Sequence, residues 1–246
     1  MEKTFEKFLT KIPRDGKIIA NADDERLKKV AKKFGKKVGW YSLKDPEAPQ
    51  IRKILRIPGE HNVSNALAAL SVGRELGIHE AQILKAISRF SGAGRRFEFK
   101  GKIDGASVFS DYGHHPSEIH ATIVATRERF PFRRVWCVYQ PHQYQRLAYL
   151  WNGFLDAFDM ADRVILLPVY DVAGRETQKA KTSVNSFKLA QELSRRGKDV
   201  YHMSKFNEAK KFVSDNVHPG DVVLVMGAGD IYKLADEFHR GSRPDN

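Results

Sequence analysis

From Ala106 onward the chain alternates short apolar runs with amphipathic stretches, and this regularity restricts the possible folds more than any other feature. Strands are expected at 106–110, 134–139, 163–169, 199–203 and 221–226. Helices are expected at 117–129, 147–159, 183–196, 206–215 and 229–239. Val164-Ile165-Leu166-Leu167 and Val222-Val223-Leu224-Val225 are apolar without a break. A strand with one wet face would alternate apolar and polar residues, whereas a strand buried on both faces need not. Repeated strand–helix units of this kind predict an α/β fold, a Rossmann-like parallel sheet with helices on both faces.

In such sheets ligands bind beyond the carboxyl ends of the strands. Three polar turns fall there. Ser110-Asp111-Tyr112-Gly113-His114-His115-Pro116-Ser117-Glu118 joins the first strand to its helix, and Pro116 suits the first helical position, where its missing N–H costs nothing. Asp111 can accept from ribose hydroxyls or cap a helix. His114 and His115 can serve as bases, ligands or phosphate donors, but adjacent residues cannot face the same way. Gln140-Pro141-His142-Gln143-Tyr144-Gln145-Arg146 ends the second strand, so the two turns are expected to line one cleft as neighbours. Met226-Gly227-Ala228-Gly229-Asp230 ends the last strand, and its glycines allow close backbone approach. Arg95 and Arg96 follow the glycine-broken Gly92-Ala93-Gly94 and can fork onto a phosphate or lie solvated.

The N-terminal part reads differently. A helix is expected over Thr4 to Ile12, a strand at 17–21, a helix from Asp23 or Asp24 to Phe34, and a strand from Lys37 to Leu43. Two strands are too few for an independent sheet. Asp45 to Pro49 reads as a linker and Ile51 to Ile57 as a strand. Helices are expected at Val63 to Leu76 and Glu80 to Phe90. The domain boundary is placed after residue 57, giving a partial domain at 1–57 and the main domain at 58–246.

A net charge of +12 admits a polyanionic partner, but Lys28-Lys29, Lys32-Lys33, Lys36-Lys37 and Arg195-Arg196 are interleaved with acids, as on a solvated surface. No nucleic-acid motif is present, so nucleic acid is not the expected partner. The single cysteine, Cys137, excludes an internal disulfide and a multi-cysteine zinc site, and its apolar run predicts a buried thiol. No run approaches the roughly 20 apolar residues of a membrane span, and the first residues carry no signal core, so a cytoplasmic protein without a membrane partner is expected.

Five ordered segments together resemble the Mur ligases, the ATP-dependent amino-acid ligases of peptidoglycan synthesis. They are Gly59-Glu60-His61-Asn62-Val63-Ser64-Asn65-Ala66, Gly94-Arg95-Arg96-Phe97-Glu98, Asp111 to Glu118, Gln140-Pro141-His142 with Tyr144 and Arg146, and Met226 to Ile231. The resemblance implies a C-terminal Mur ligase domain preceded by a remnant of the central ATPase domain. It implies that Asn62 meets adenine, that Arg96 reaches the ATP phosphates and that Asp111 holds the ribose. Tyr112, His114, His142 and Arg146 would lie near the amino acid and the acyl phosphate, with Arg96, His114 and Arg146 catalytic. The implied partners are ATP with Mg, L-alanine and UDP-N-acetylmuramate. The sequence lacks the family's sugar-nucleotide domain, phosphate loop and magnesium ligands. It also reads Gln143 and Leu147 where the family commonly has Arg and Thr. The chain by itself is therefore expected to be inactive, needing an N-terminal half in trans, or to act as a non-catalytic nucleotide- or amino-acid-binding module.

Overall fold

The computed structural model describes residues 2–13, 15–33, 38–174 and 176–240. Phe34, the expected end of one helix, and Lys37, the expected start of a strand, lie outside them. Two compact units divide the chain at 91/92.

The first unit contains helix α1 (Glu2–Thr10), strand β1 (Ile18–Asn21), helix α2 (Glu25–Lys32), strand β2 (Val38–Tyr41) and helices α3 (Ala48–Ile54), α4 (Glu60–Glu75) and α5 (Glu80–Arg89). β1 and β2 pair in parallel. Asp24 caps α2 by accepting from the backbone of Arg26 and Leu27. The strand expected at 51–57 is instead α3. Pro49 sits in its first turn, and Ala48 and Ile51, one turn apart, are both buried. They pack with Val63, Leu67 and Leu70 of α4 and Ile83 and Ile87 of α5. This shared core, with α4 also lying on β1 and β2, puts the unit boundary at 91/92 instead of 57/58. A boundary read from a linker-like turn misses it, because Ala48 and Ile51 bury that turn's far end.

The second unit carries strands β3 (Glu98–Ile103) and β4 (Ala106–Asp111), helix α6 (Pro116–Arg129), strand β5 (Val135–Tyr139) and helices α7 (Tyr144–Tyr149) and α8 (Trp151–Asp156). Strand β6 (Arg163–Leu166), helices α9 (Gln178–Ser183) and α10 (Ser186–Arg195), strand β7 (Asp199–His202), helix α11 (Phe206–Asn216), strand β8 (Val222–Met226) and helix α12 (Tyr232–Arg240) follow. The sheet order is β3-β4-β8-β5-β6-β7, parallel except for β3. β3 carried no strand expectation. Its signal is Asp104-Gly105, both at positive φ (46° and 80°), the two-residue hairpin pair that returns β3 onto β4.

Strand parity assigns the two faces. Phe109, Cys137, Tyr139, Val164, Leu166, Leu224 and Met226 face α6, α8 and α10 through Ile119, Ile123, Phe154 and Leu189, with Phe158 just after α8. Val108, Trp136, Val138, Ile165, Val223 and Val225 face α11 and α12 through Ala209, Val213, Leu234, Ala235 and Phe238. Both faces are covered, so the continuous apolar runs are explained. Cys137 is fully buried, and burial raises its thiol pKa far above the usual range. The helix expected at 147–159 is two short helices meeting at Leu150, and that at 183–196 is preceded by α9, with Asn185 capping α10 through its bond from Lys188 N.

Candidate active site

Tracing the strands to their carboxyl ends brings three turns together in the second unit. β4 and β5 are not neighbours as expected, because β8 runs between them. The consequence is favourable: the 227–231 turn enters between the Asp111 and Gln140 turns. Gly227 N donates to Asp111 O at 3.1 Å and Gln140 N donates to Met226 O at 3.1 Å, so the three are tied by backbone.

Asp111 is buried, 6% exposed. Its Oδ2 accepts from Phe97 N at 2.8 Å and its Oδ1 from Gly113 N at 2.7 Å. Both oxygens are thus engaged with backbone, and this carboxylate joins the 94–97 loop to the 111–118 turn.

The two histidines separate. His115 caps α6: its Nδ1 accepts from Ser117 N, and Glu118 returns to the His115 N–H in a capping box. His114 is left half-buried on the cleft side. Its Nδ1 lies 3.1 Å from Tyr112 O. A carbonyl only accepts, so Nδ1 carries the proton and Nε2 keeps a lone pair. Tyr112 packs edge-on to His114 at 5.3 Å between centroids, and Tyr139 Oη donates to His114 O at 3.2 Å.

From the next turn, His142 lies 5.9 Å from His114 between ring centroids and stacks on Tyr170 at 5.3 Å. Arg146 Nη1 is 3.3 Å from both His142 Nδ1 and His142 O. Guanidinium only donates, so His142 Nδ1 accepts, giving it the opposite tautomer to His114. Burial lowers the pKa of both imidazoles; the Arg146 charge adds to this in each, and Arg96 adds to it at His114. Glu118 is held below the usual carboxylate range: burial acts upward but is outweighed by the N–H groups of His114 and His115, with His114 and Arg96 contributing. Arg96, Arg146, His114, His142 and Glu118 therefore share one electrostatic neighbourhood. Arg96 itself is exposed, its guanidinium 5.5 Å from the Tyr112 ring centroid.

Of the residues expected from sequence, Asp111, Tyr112, His114, His142, Arg146 and Arg96 come together. Asn62 lies in the first unit, in the first turn of α4, where its Nδ2 donates to Pro58 O at 2.7 Å. Glu118 and Tyr170 were not expected. Glu118 carried a signal, the acid three residues after the cap, whereas nothing in the sequence marks Tyr170. Gln143, which stands where an arginine is common, has a left-handed φ of 71° at the start of α7.

Two expected results follow. A Cβ at Gly227 would meet Gln140 O at 2.8 Å on a backbone with φ of 148°. Gly227→Ala should therefore destabilise the unit by about 1–3 kcal/mol, read as a lower urea midpoint; an unchanged midpoint would show that the two turns are not tightly packed. The second concerns pH. His114, His142 and His202 all have folded pKa values below 6.5. The unfolded chain thus takes up protons first, so their contribution is full above about 6.5 and is lost as pH falls through the lowered folded values. Stability should drop on acidification from pH ~7 to ~5, and the drop should be shallower in His114→Gln.

Residues 95–229 match the family model described as Mur ligase, glutamate ligase domain. The chain belongs to the Mur ligase family, whose members are ATP-dependent amino-acid ligases. It is 34% identical over 261 residues to UDP-N-acetylmuramate–L-alanine ligase of Caldanaerobacter subterraneus subsp. tengcongensis, covering 97% of this chain and 56% of that protein. It is 35% identical over 259 residues to the ligase of the same name from Clostridium novyi, again covering 97% and 56%. The chain thus spans about half the length of the curated relatives it matches. Among solved structures it is similar to UDP-N-acetylmuramate–alanine ligase from Thermotoga maritima, with TM-score 0.62 and 30% identity over 76% of this chain and 38% of that one. A murein peptide ligase from Psychrobacter arcticus shares the fold, with TM-score 0.62 at 19% identity over 99% of this chain and 55% of that one. No helix among the described residues is long and apolar enough to cross a membrane.

Proposed function

We propose that this chain supplies the C-terminal part of a ligase that uses ATP to join L-alanine to UDP-N-acetylmuramate. The observation that carries this is the convergence of Arg96, Arg146 and two neutral imidazoles at the carboxyl ends of β4, β8 and β5. The identity to ligases of that name over 97% of the chain supports it.

The chemistry asks for three things, and the cluster offers a group for each. A phosphoryl group passing to a carboxylate needs cationic partners, and Arg96, exposed on its loop, is placed to reach one. The incoming amine must lose its proton before it attacks the acyl phosphate. His114 is held neutral by burial, and its Nε2 lone pair is the acceptor. The amino acid's carboxylate needs a fixed cation. Arg146, braced against His142, is positioned for it, and stacking on Tyr170 fixes His142 in turn. Tyr112 forms the wall between Arg96 and His114. Asp111, which ends β4, is the carboxylate that would meet the ribose.

The resemblance implies that the magnesium ligands and the phosphate loop come from central-domain residues that this sequence does not contain. Phosphoryl transfer depends mostly on positioning. The purified chain alone should therefore release no phosphate from ATP in the presence of L-alanine and UDP-N-acetylmuramate. Addition of the N-terminal half of a relative should restore L-alanine-dependent product. Turnover by the chain alone would refute the division of labour. A folded, associated pair that stays inactive while still binding nucleotide or amino acid would favour a non-catalytic binding module.

A further inference from the structure

Arg95 lies next to Arg96, yet the two guanidinium groups are used differently. Arg95 Nη2 donates to Gly227 O at 2.7 Å and to Gly229 O at 3.1 Å. Its guanidinium carbon is 4.8 Å from the centroid of the Tyr112 ring and 4.6 Å from that of Tyr232, a cation between two π faces. Its own backbone is also held. Arg95 N donates to Glu98 Oε2 at 2.8 Å, and Arg95 O accepts from Tyr112 N at 2.7 Å. One side chain thus links the 94–97 loop, the 111–118 turn, the 227–231 turn and the start of α12.

The loop that it anchors is strained. Arg95 has φ of 59° and Phe97 has φ of 49°, so two non-glycine residues in the left-handed region flank Arg96. Such a conformation persists only where surrounding contacts over-determine it. Here they are the Arg95 clamp, the Glu98 carboxylate on Arg95 N, and the Asp111 carboxylate on Phe97 N. Arg96, between the two strained residues, has a fixed backbone and an exposed side chain. Its guanidinium lies over Tyr112, the ring that Arg95 also holds.

We propose that Arg95 is a positioning residue: by pinning the 94–97 loop to the 227–231 turn it aims Arg96, and so sets how strongly the site distinguishes the terminal phosphates of a nucleotide from the rest of it. This rests on the ligase reading, in which Arg96 meets those phosphates. Arg95 touches no ligand in this scheme: its Nη2 is committed to two carbonyls and its guanidinium carbon lies over two rings.

The test is calorimetric titration of the chain with ATP and with AMP, for wild type, Arg95→Ala, Arg95→Lys, Tyr232→Leu and Arg96→Ala. Wild type should prefer ATP. Arg96→Ala should lower that preference about tenfold, the loss of one charge-assisted contact. Arg95→Ala should lower it similarly, while AMP affinity stays unchanged. A side chain that only stabilised the fold would weaken both nucleotides together. Arg95→Lys, whose compact ammonium lacks the planar face set against Tyr112 and Tyr232, and Tyr232→Leu, which removes one of those rings, should each lose part of the preference, and they decide the matter if Arg95→Ala does not fold. Arg95 variants that keep the full preference while Arg96→Ala loses it would overturn this inference and leave the ligase reading standing. If Arg96→Ala also keeps it, or if wild type shows no preference, both fall.

Discussion

Arg96→Ala should reduce turnover about a hundredfold in the chain reconstituted with an N-terminal half, and reduce nucleotide affinity much less. Arg96 is exposed, its backbone is held on both sides, and its charge acts on His114 and Glu118. A contact that strengthens as the phosphoryl group transfers stabilises the transition state preferentially. Losing one such contact costs on the order of 3 kcal/mol, about a hundredfold in rate. Arg96→Lys should recover only part, since an ammonium lacks the planar fork. Steady-state kinetics with both variants decides this. Unchanged turnover in Arg96→Ala would remove the arginine from the chemistry. A rise in KM alone would give it a binding role only. Removing its charge should also raise the pKa of His114, moving the acid limb of the pH–rate profile upward.

The largest stability effect is expected at Asp111. Replacing it with alanine leaves the N–H groups of Phe97 and Gly113 without their carboxylate. Hydrogen bonds to a charged group are each worth roughly 1.5–3 kcal/mol, and stranding a buried donor adds to the loss, so Asp111→Ala should cost about 3–5 kcal/mol. Asp111→Asn should cost less, because its one carbonyl oxygen can still accept from one of the two. Denaturant unfolding followed by the tryptophan signal, chiefly the buried Trp136, measures this. A loss below about 1 kcal/mol would mean that the 94–97 loop is held without Asp111. Asn also tests the ribose role, because an effect on nucleotide affinity larger than that on stability would separate the two.

The parallel strands were legible because both faces of the sheet are covered, so Val164–Leu167 and Val222–Val225 read as unbroken apolar runs, short and bounded by turn residues as buried strands are. The strand-end turns were legible because parallel strands put every strand-to-helix turn at the same carboxyl end of the sheet. What escaped was set by tertiary contact. The placement of β8 between β4 and β5 leaves no trace in local sequence, yet it decides which turn separates Asp111 from Gln140. The 51–57 segment is short and sets Ile51, Ile54, Leu55 and Ile57 among three basic residues, and over so few residues a helical turn cannot be told from a strand by periodicity until its helical partners are known. Arg95 and Arg96 are equivalent by composition. They separate only through the carbonyls of Gly227 and Gly229, 132 and 134 residues away. Likewise His114 and His115 differ because the His115 ring caps α6 at Ser117 N while the His114 ring meets Tyr112 O.

A single ligand site at the carboxyl ends of β4, β8 and β5 is tested most directly by histidine NMR. The chain should be titrated with ATP and L-alanine while the imidazole C–H resonances are followed. His114 and His142 should shift together and in a saturable manner, whereas His218, at the opposite end of the sheet just before β8, should stay in place. Shifts confined to His218, or His114 and His142 unmoved at saturating ligand, would contradict it.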